Sequence, residues 1–185
     1  MLDLGAVAKG YTGDRLRELI LSRMGEDAHA LLDLGGNIVA VGAKPSGDPW
    51  RVGVRDPDDG AELAGVIEVA DKCVVTSGDY ERYFERDGAR YCHILDPATG
   101  EPARAGLRGV TVVGGAGSGA MCDAYATALF VMGPEKAEAF WREHSGEFDM
   151  ILIGENGGVT VTEGLENSFT PAGAYTDAPL TVLRR

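Results

Sequence analysis

Residues 30–41 have the sequence ALLDLGGNIVAV, and this stretch decides the fold. Two apolar runs, 30–34 and 38–41, flank Gly35 and Gly36, a pattern that predicts a strand, a tight turn or bulge, and a second strand. More strands are predicted downstream, at 50–55, 64–69, 73–76 and 91–95. The middle of the chain is therefore predicted to form a mainly antiparallel sheet.

Helices are predicted before and after this β-rich region. Apolar side chains recur at helical spacing over residues 6–24, with charged residues between them, which indicates an amphipathic helix. A flexible glycine-rich segment, 114–119, leads into a second helix at 120–132, and a third helix at 134–144 begins with a favourable proline. Short strands are also expected at 109–113, 150–153, 159–161 and 181–183. Since no linker or repeat interrupts residues 1–185, we expect a single α+β domain with helices packed on the sheet.

The composition is that of an acidic globular protein. The chain has 185 residues, of which 44% are hydrophobic and 25% charged, and a formal net charge of -12. This charge repels nucleic-acid backbones and anionic lipid headgroups, and no basic patch offsets it, so we expect no nucleic-acid partner. No apolar run is long enough to span a bilayer. Cys73, Cys92 and Cys122 lack the spacing of a zinc site and are predicted to be free thiols.

The first segment with unusual chemistry is DLGAVAKGY, residues 3–11. Gly5 and Gly10 let the backbone approach a ligand closely. The opening of the predicted helix exposes unpaired N–H groups over residues 5–9, which together with Lys9 favour phosphate oxygens. The segment equally fits an ordinary helix start, in which Lys9 is solvated and Asp3 accepts an N-cap hydrogen bond.

The second segment is HILDPATGEP, residues 93–102. Its Asp-Pro and Thr-Gly pairs predict a turn directly after a strand, which places His93 at the edge of the sheet, where a substrate can reach it. A histidine there can accept a proton near neutral pH. The alternative is a histidine that only packs at a strand end.

The third segment is MCDAYATAL, residues 121–129, in the second predicted helix. Asp123 and Thr127 are four residues apart, so their oxygens project from one helix face. A carboxylate and a hydroxyl on an otherwise apolar helix indicate a site for a hard cation that also binds phosphate oxygens. Alternatively, Asp123 stabilises the first turn of its helix and Thr127 bonds back to a carbonyl.

Together these segments resemble the ApbE family of FAD:protein FMN transferases. The matching stretches occur in the family's order and cover nearly the whole chain: DLGAVAKGY, LLDLGGNIVAVG, WRVGVRDP, TSGDYERYF followed by YCHILDPATGEP, and MCDAYATALFVMG. Family members usually carry a substantial N-terminal half before the first of these motifs. We therefore expect residues 1–185 to be the C-terminal part of an ApbE-like, T-fold-like domain.

The resemblance implies roles for individual residues. The carbonyl of Ala6 and the side chains of Asp123 and Thr127 would hold Mg²⁺. His93 would act as the base that accepts the proton of the acceptor hydroxyl.

The resemblance also implies the substrates and the setting. Asp3, Lys9 and Ala103 would contact FAD, and its FMN moiety would be transferred to a threonine or serine of an acceptor protein, with release of AMP. The acceptor is expected among flavin-bearing subunits of membrane redox complexes. The full-length family is extracytoplasmic, and membrane association would come through an N-terminal lipid anchor outside this sequence.

Two other functions are compatible with the same residues. A metal site of this kind could direct water instead of a hydroxyl at the phosphorus, which would make the protein an FAD pyrophosphatase. A non-catalytic flavin-binding protein would use the site only to hold its ligand.

Overall fold

A computed structural model describes residues 3–144 and 146–185 of the chain. Its α-helices are α1 (Ala8–Met24), α2 (Gly119–Met132) and α3 (Pro134–Glu143). Its strands are β1 (Ala30–Asp33), β2 (Asn37–Val41), β3 (Trp50–Arg55), β4 (Leu63–Val69), β5 (Lys72–Gly78), β6 (Tyr83–Arg86), β7 (Ala89–Cys92), β8 (Leu107–Gly115), β9 (Phe148–Gly154), β10 (Val159–Thr162), β11 (Phe169–Pro171) and β12 (Leu180–Leu183). Short 3₁₀ helices, Glu163–Leu165 and Gly173–Tyr175, lie on either side of β11.

The central sheet has seven strands in the order β1-β2-β5-β8-β9-β10-β12. Neighbouring strands pair antiparallel, except β10 and β12, which run parallel. A three-stranded sheet, β11-β4-β3, and the separate β6–β7 hairpin accompany it. The prediction of an α+β fold with a mainly antiparallel sheet is confirmed.

Both faces of the central sheet are covered, because successive side chains on a strand point to opposite faces. On β8, Val110 and Val112 pack into a cluster with helix residues such as Trp141 of α3. Val113 packs into a second cluster on the opposite face, with Ile67 of the three-stranded sheet. Trp141 and Ile67 are both fully buried. The central sheet thus lies between a helix layer and a smaller sheet.

The first helix differs from its prediction in its start and in its buried face. It begins at Ala8 rather than at residue 6, and its buried residues are Gly10, Gly13 and Asp14. Leu19, which was expected on an apolar face, is 50% exposed. The predicted apolar face is present only in part: Ile20 packs against the core, whereas the closest contacts of α1 with α2 and β2 are made by glycines, where backbone rather than large side chains is buried.

The other predicted helices and strands are present with shifted ends, but two strands were not predicted. β6 is exposed along its whole length, so its sequence shows no alternation of apolar and polar residues. β11 has only three residues and ends in Pro171, which is atypical of strands. Within the described ranges, no helix has both the length and the apolar character needed to cross a membrane.

Candidate functional site

A cavity of about 800 Å³ lies where the segment leading into α1, the middle of α2 and the end of β5 meet. Six of the predicted site residues line it: Asp3, Ala6, Lys9, His93, Asp123 and Thr127. Ala103 is elsewhere, in a buried position where its N–H donates to the carbonyl of Ile94 at 2.9 Å. Its contact with FAD stays a prediction.

Two buried carboxylates join α1 and α2 in a reciprocal arrangement. Oδ2 of Asp123 accepts the N–H of Gly10, in the first turn of α1, at 2.8 Å. Asp14 of α1 accepts the N–H groups of Gly119 and Ala120, in the first turn of α2, at 2.8 and 3.0 Å. Each carboxylate therefore binds amides at the positive end of the other helix, which have no partner in their own helix.

The two helices come close enough for this exchange because Gly10 and Gly119 face each other. A Cβ on Gly10 would overlap the carbonyl of Gly119, and a Cβ on Gly119 would lie 2.6 Å from the carbonyl oxygen of Gly10. The sequence predicts that Gly10 lets the backbone approach a ligand closely. The structure corrects this, because Gly10 serves the close approach of α2.

The bond between Gly10 and Asp123 also frees a backbone carbonyl. In a regular helix, the N–H of Gly10 would donate to the carbonyl of Ala6, four residues earlier. That N–H donates to Asp123 instead, and no other donor reaches the Ala6 carbonyl within residues 3–144 and 146–185. Since Ala6 lines the cavity, its carbonyl is available to a ligand there.

Asp123 and Thr127 present further oxygens to the same cavity. Asp123 is 4% exposed, and in the described part of the chain only its Oδ2 accepts a hydrogen bond. The Thr127 hydroxyl lies 3.2 Å from that of Ser77 on β5 and 3.4 Å from the carbonyl oxygen of Asp123, to which it donates. Thr127 therefore makes the back-bond considered for it, but at the long limit of such contacts.

The oxygen atoms of Ala6, Asp123 and Thr127 suit Mg²⁺ rather than a softer metal. A backbone carbonyl, a carboxylate and a hydroxyl are hard oxygen ligands, and Mg²⁺ usually keeps several waters and binds substrate phosphates instead of filling an all-protein cage. Across the described residues, no group of three or more His, Cys, Asp or Glu side chains is placed to hold a metal ion. Any metal in this cavity would therefore depend on the carbonyl, the hydroxyl and the ligand as well as on Asp123.

Lys9 supplies a positive charge to the cavity wall. Its Nζ donates to the carbonyl of Gly35, in the turn between β1 and β2, at 3.1 Å. This bond holds the side chain across the gap between helix and sheet, and it uses one of the three donors of the ammonium group. Two donors remain for phosphate oxygens.

The prediction of unpaired amides at the start of α1 holds only in part. The N–H groups of Val7 and Ala8 both donate to the carbonyl of Leu4, so they are not available to an anion. Asp3 is not the N-cap residue, which is Val7. Instead, Oδ1 of Asp3 accepts the N–H of Gly5 at 2.7 Å and fixes the turn that precedes the helix.

His93 is exposed, and both its ring and its backbone lie next to the carbonyl of Arg82. The ring Nδ1 of His93 lies 3.3 Å from the carbonyl oxygen of Arg82, and the backbone N–H of His93 donates to the same oxygen at 3.0 Å. A carbonyl can only accept, so Nδ1 must carry the hydrogen in this contact. The neutral ring then has its lone pair on Nε2, which is the form needed to accept a proton.

The buried thiols of Cys73 and Cys122 stay neutral near pH 7. Burial raises the pKa of Cys122 to about 12. Burial also raises the pKa of Cys73, and the nearby charge of Asp14 adds to that effect. Cys92 is buried as well, and the prediction of three free thiols is confirmed. Neither Cys73 nor Cys122 is a nucleophile at neutral pH, because the thiolate is the reactive form.

Several residues of this region are not predicted from the sequence. Ser77, Glu81 and Arg82 also line the cavity, and they lie in TSGDYERYF, a stretch noted only for its resemblance. Polar residues directly after a predicted strand were the available signal. Asp14, four residues after Gly10 on the same helix face, had no comparable signal, since its partners are backbone amides more than a hundred residues away.

Known proteins resemble this chain over nearly its whole length. The sequence model of the ApbE family matches residues 1–152. The chain is 44% identical over 174 residues to the FAD:protein FMN transferase of Treponema pallidum, and the match covers 89% of this chain and 46% of the relative. It is 38% identical over 171 residues to the FAD:protein FMN transferase of Klebsiella pneumoniae, with 92% and 51% covered.

A solved structure gives the same result for the fold. The crystal structure of the ApbE protein from Thermotoga maritima matches with a TM-score of 0.81 at 38% sequence identity, covering 90% of this chain and 53% of that one. The chain thus spans about half the length of the relatives it matches.

Proposed function

Because the chain belongs to the ApbE family, we propose that it transfers the FMN moiety of FAD to a threonine or serine hydroxyl of an acceptor protein, with Mg²⁺, and releases AMP. The relatives bear the name FAD:protein FMN transferase, but this chain spans about half of their length, so its activity and partners are proposed here. We expect the acceptor to be a flavin-bearing subunit of a redox complex outside the cytoplasm.

The observation that supports this proposal most is that residues from three separate segments converge on one cavity. The segment 3–9, His93 and the α2 pair Asp123 and Thr127 are far apart in sequence and line the same cavity. A cation, an uncoordinated carbonyl, a carboxylate and a base are the groups that phosphoryl transfer needs.

Binding of FAD would use the ammonium group of Lys9 at the cavity wall together with the metal. Ala6, Asp123 and Thr127 would hold Mg²⁺, which when bound neutralises charge on the pyrophosphate oxygens. Lys9 would bind further oxygens through its free donors. Since the protein carries a net charge of -12, which opposes the approach of an anionic dinucleotide, these local positive groups are required for binding.

In the transfer step, Nε2 of His93 accepts the proton of the acceptor hydroxyl. The hydroxyl oxygen bonds to the phosphorus of the FMN half as the bond from that phosphorus to the bridging oxygen breaks. The bridging oxygen leaves with AMP, and the proton passes from His93 to solvent. A positioned general base contributes typically ~10² to 10⁴ in rate.

The test is mass spectrometry of a candidate acceptor protein after incubation with this chain, FAD and Mg²⁺. We expect a mass gain equal to FMN, together with AMP, and neither without Mg²⁺. His93→Ala should abolish the gain, whereas the matched variant His29→Ala should not, because His29 is outside the cavity wall and its one side-chain hydrogen-bond contact among the described residues is with the carbonyl of Ala43 at 2.7 Å.

The other outcomes separate the remaining functions. Free FMN plus AMP, with an unmodified acceptor, would indicate a pyrophosphatase. Magnesium-dependent FAD binding that survives His93→Ala, without any AMP, would indicate a flavin-binding protein. A folded chain that neither binds nor cleaves FAD would contradict the proposal.

A further inference from the structure

The β6–β7 hairpin continues directly into the candidate active site. In its antiparallel pairing, Tyr83 lies opposite Cys92 and Phe84 lies opposite Tyr91. The N–H of His93 donates to the carbonyl of Arg82 at 3.0 Å, so the pairing extends one step further. Arg82 and His93 stand at bends directly outside the paired strands. Phe84 and Tyr91 therefore lie two residues along the chain from the two residues that enter the cavity wall.

The exposed Phe84 and the half-buried Tyr91 form a stacked surface that we call the aromatic platform. Their rings stack with centroids 5.0 Å apart and planes inclined by 4°. Phe84 is 61% exposed, which is high for a phenylalanine that is already ordered by a ring partner. The guanidinium of Arg104 lies 5.6 Å from the Tyr91 ring centroid and donates to the carbonyl of Arg90 at 3.2 Å. The platform is thus a stacked aromatic pair whose Phe84 ring is open to solvent.

The platform lies outside the cavity, next to its entrance. Arg82, His93 and Leu95 line the cavity, whereas neither platform residue is part of its wall. Leu95 is itself 53% exposed, so apolar surface flanks His93 on both sides. Since Phe84 and Tyr91 are not part of the cavity wall, FAD bound in the cavity would leave the hairpin next to His93 accessible to an acceptor chain.

The spacing along the hairpin matches that of an extended peptide. Two residues along a strand span roughly 6.5 Å, which separates the Arg82–His93 pair from the platform. Any extended polypeptide has the same distance between side chains two positions apart. An extended segment with its hydroxyl at His93 can therefore place a second side chain on the platform.

The charges around the platform also select its occupant. In the described part of the chain, no carboxylate forms an ion pair with Arg82 or Arg104. Two unneutralised guanidinium groups thus border this surface, although the chain as a whole is strongly acidic. This border favours a neutral or acidic segment over a basic one.

We propose that the aromatic platform docks the acceptor protein, through an apolar side chain two residues from the hydroxyl that receives FMN, on an extended segment. This inference rests on the proposed transferase function. Beyond that function, the aromatic platform would select the acceptor, and the acceptor segment that fits it carries an apolar side chain.

The test uses nine-residue synthetic peptides with a single threonine in a glycine and alanine background. One series carries leucine two residues before or after the threonine, and the matched series carries serine there. With FAD and Mg²⁺, we expect the leucine peptides to be flavinylated with about tenfold higher kcat/KM, as one leucine-sized side chain leaves water. Phe84→Ser should remove that preference by raising KM. Leu19→Ser, which changes a leucine on α1 that is 50% exposed, should keep it.

A second measurement does not depend on catalysis. A photoreactive benzophenone amino acid replaces Phe84 in one variant and Leu19 in another, and each is irradiated with the peptides. We expect cross-links at position 84 to the leucine peptides, and few at position 19. Cross-linking without transfer would leave the docking surface intact and count against the proposed function alone.

Three results would overturn the docking proposal. The first is transfer with no preference for leucine, and the second is cross-linking that is equal at positions 84 and 19. The third is a loss of FAD binding in Phe84→Ser with no change in peptide preference, which would assign the platform to a ring of FAD.

Discussion

At the residue scale, Asp123 combines a structural and a chemical task in one carboxylate. Oδ2 accepts the N–H of Gly10, while Oδ1 accepts no hydrogen bond in the described residues and is available to the proposed metal. Asp14 differs, because both of its oxygens accept amide hydrogen bonds from α2. The two buried carboxylates therefore have separable functions.

Replacing each of them with asparagine should separate these functions. Asp123→Asn keeps an acceptor for Gly10 but loses the charge, so we expect at least a tenfold rise in the Mg²⁺ concentration that half-saturates FAD binding. Asp14→Asn leaves one of two amides without an acceptor and should lower the free energy of unfolding by about 1–3 kcal/mol. Urea unfolding and FAD titrations at varied Mg²⁺ measure both. Equal effects of the two variants on Mg²⁺ dependence would argue against a metal at Asp123.

The Cys122 thiol predicts how stability depends on alkaline pH. Burial raises its pKa from 9.0 to about 12. The folded state therefore keeps the proton that the unfolded chain releases, so this contribution to stability is full below pH 9 and is lost as pH rises from 9 to 12. The expected slope is about 1.4 kcal/mol per pH unit for one proton.

Cys122→Ala removes this group, so its free energy of unfolding should fall less steeply with pH above 9 than that of the unmodified chain. Cys73 and Tyr80, whose pKa values burial also raises, are present in both chains and cancel in the comparison. Urea unfolding at several pH values between 8 and 11 measures the two slopes. Identical slopes would show that Cys122 ionises in the folded state as readily as in the unfolded one.

At the element scale, the contact between α1 and α2 builds the site. It depends on Gly10 and Gly119, whose lack of side chains lets each helix start lie against a carboxylate of the other. The same contact diverts the N–H of Gly10 and frees the carbonyl of Ala6. The close packing of α1 on α2 and the free carbonyl of Ala6, which is a proposed metal ligand, therefore have the same structural origin.

Gly10→Ala should consequently damage both stability and metal binding. The added methyl would overlap the Gly119 carbonyl, and overpacking of this kind costs about 1–3 kcal/mol. Forcing the helices apart would also weaken the bond to Asp123, so Mg²⁺-dependent FAD binding should fall at least tenfold. Gly115→Ala is the matched control, because a Cβ there meets open space. If Gly10→Ala behaved like that control, the close helix contact would not be needed.

The sequence predicted the elements that have their own periodicity and missed those that depend on distant partners. The strand pair around Gly35 and Gly36 and helices α2 and α3 are visible in local pattern alone. The buried face of α1 is not, because a glycine surface becomes meaningful only when α2 is placed against it. All seven predicted site residues belong to motifs that occur together in one family, and six of them line one cavity. The contact of the His93 ring with the carbonyl of Arg82 has no signal in the local sequence and is visible only in the structure.

At the scale of the whole molecule, one sheet contributes to both hydrophobic cores. Strands β5, β8 and β9 send alternate side chains into the helix layer and into the layer of the three-stranded sheet. Loss of either layer would expose one face of the same strands, so neither layer should be stable alone. This arrangement supports the prediction that residues 1–185 fold as a single domain.

The two tryptophans of the chain can test this cooperativity, since one lies in each layer. Trp141 is fully buried on α3 and donates to the carbonyl of Phe148, whereas Trp50 is partly buried against the second core and donates to the carbonyl of Gly42. Trp50→Phe leaves a reporter in the helix layer, and Trp141→Phe leaves one in the opposite layer.

For each single-tryptophan chain, we expect the urea transition followed by its remaining tryptophan to coincide with the loss of circular dichroism of that same chain. The midpoints of the two variants can differ from each other, because each substitution removes part of a different core. The informative comparison is therefore between probes within one variant. A tryptophan signal that changes before the circular dichroism would show that its layer unfolds alone, and that the central sheet does not couple the two cores.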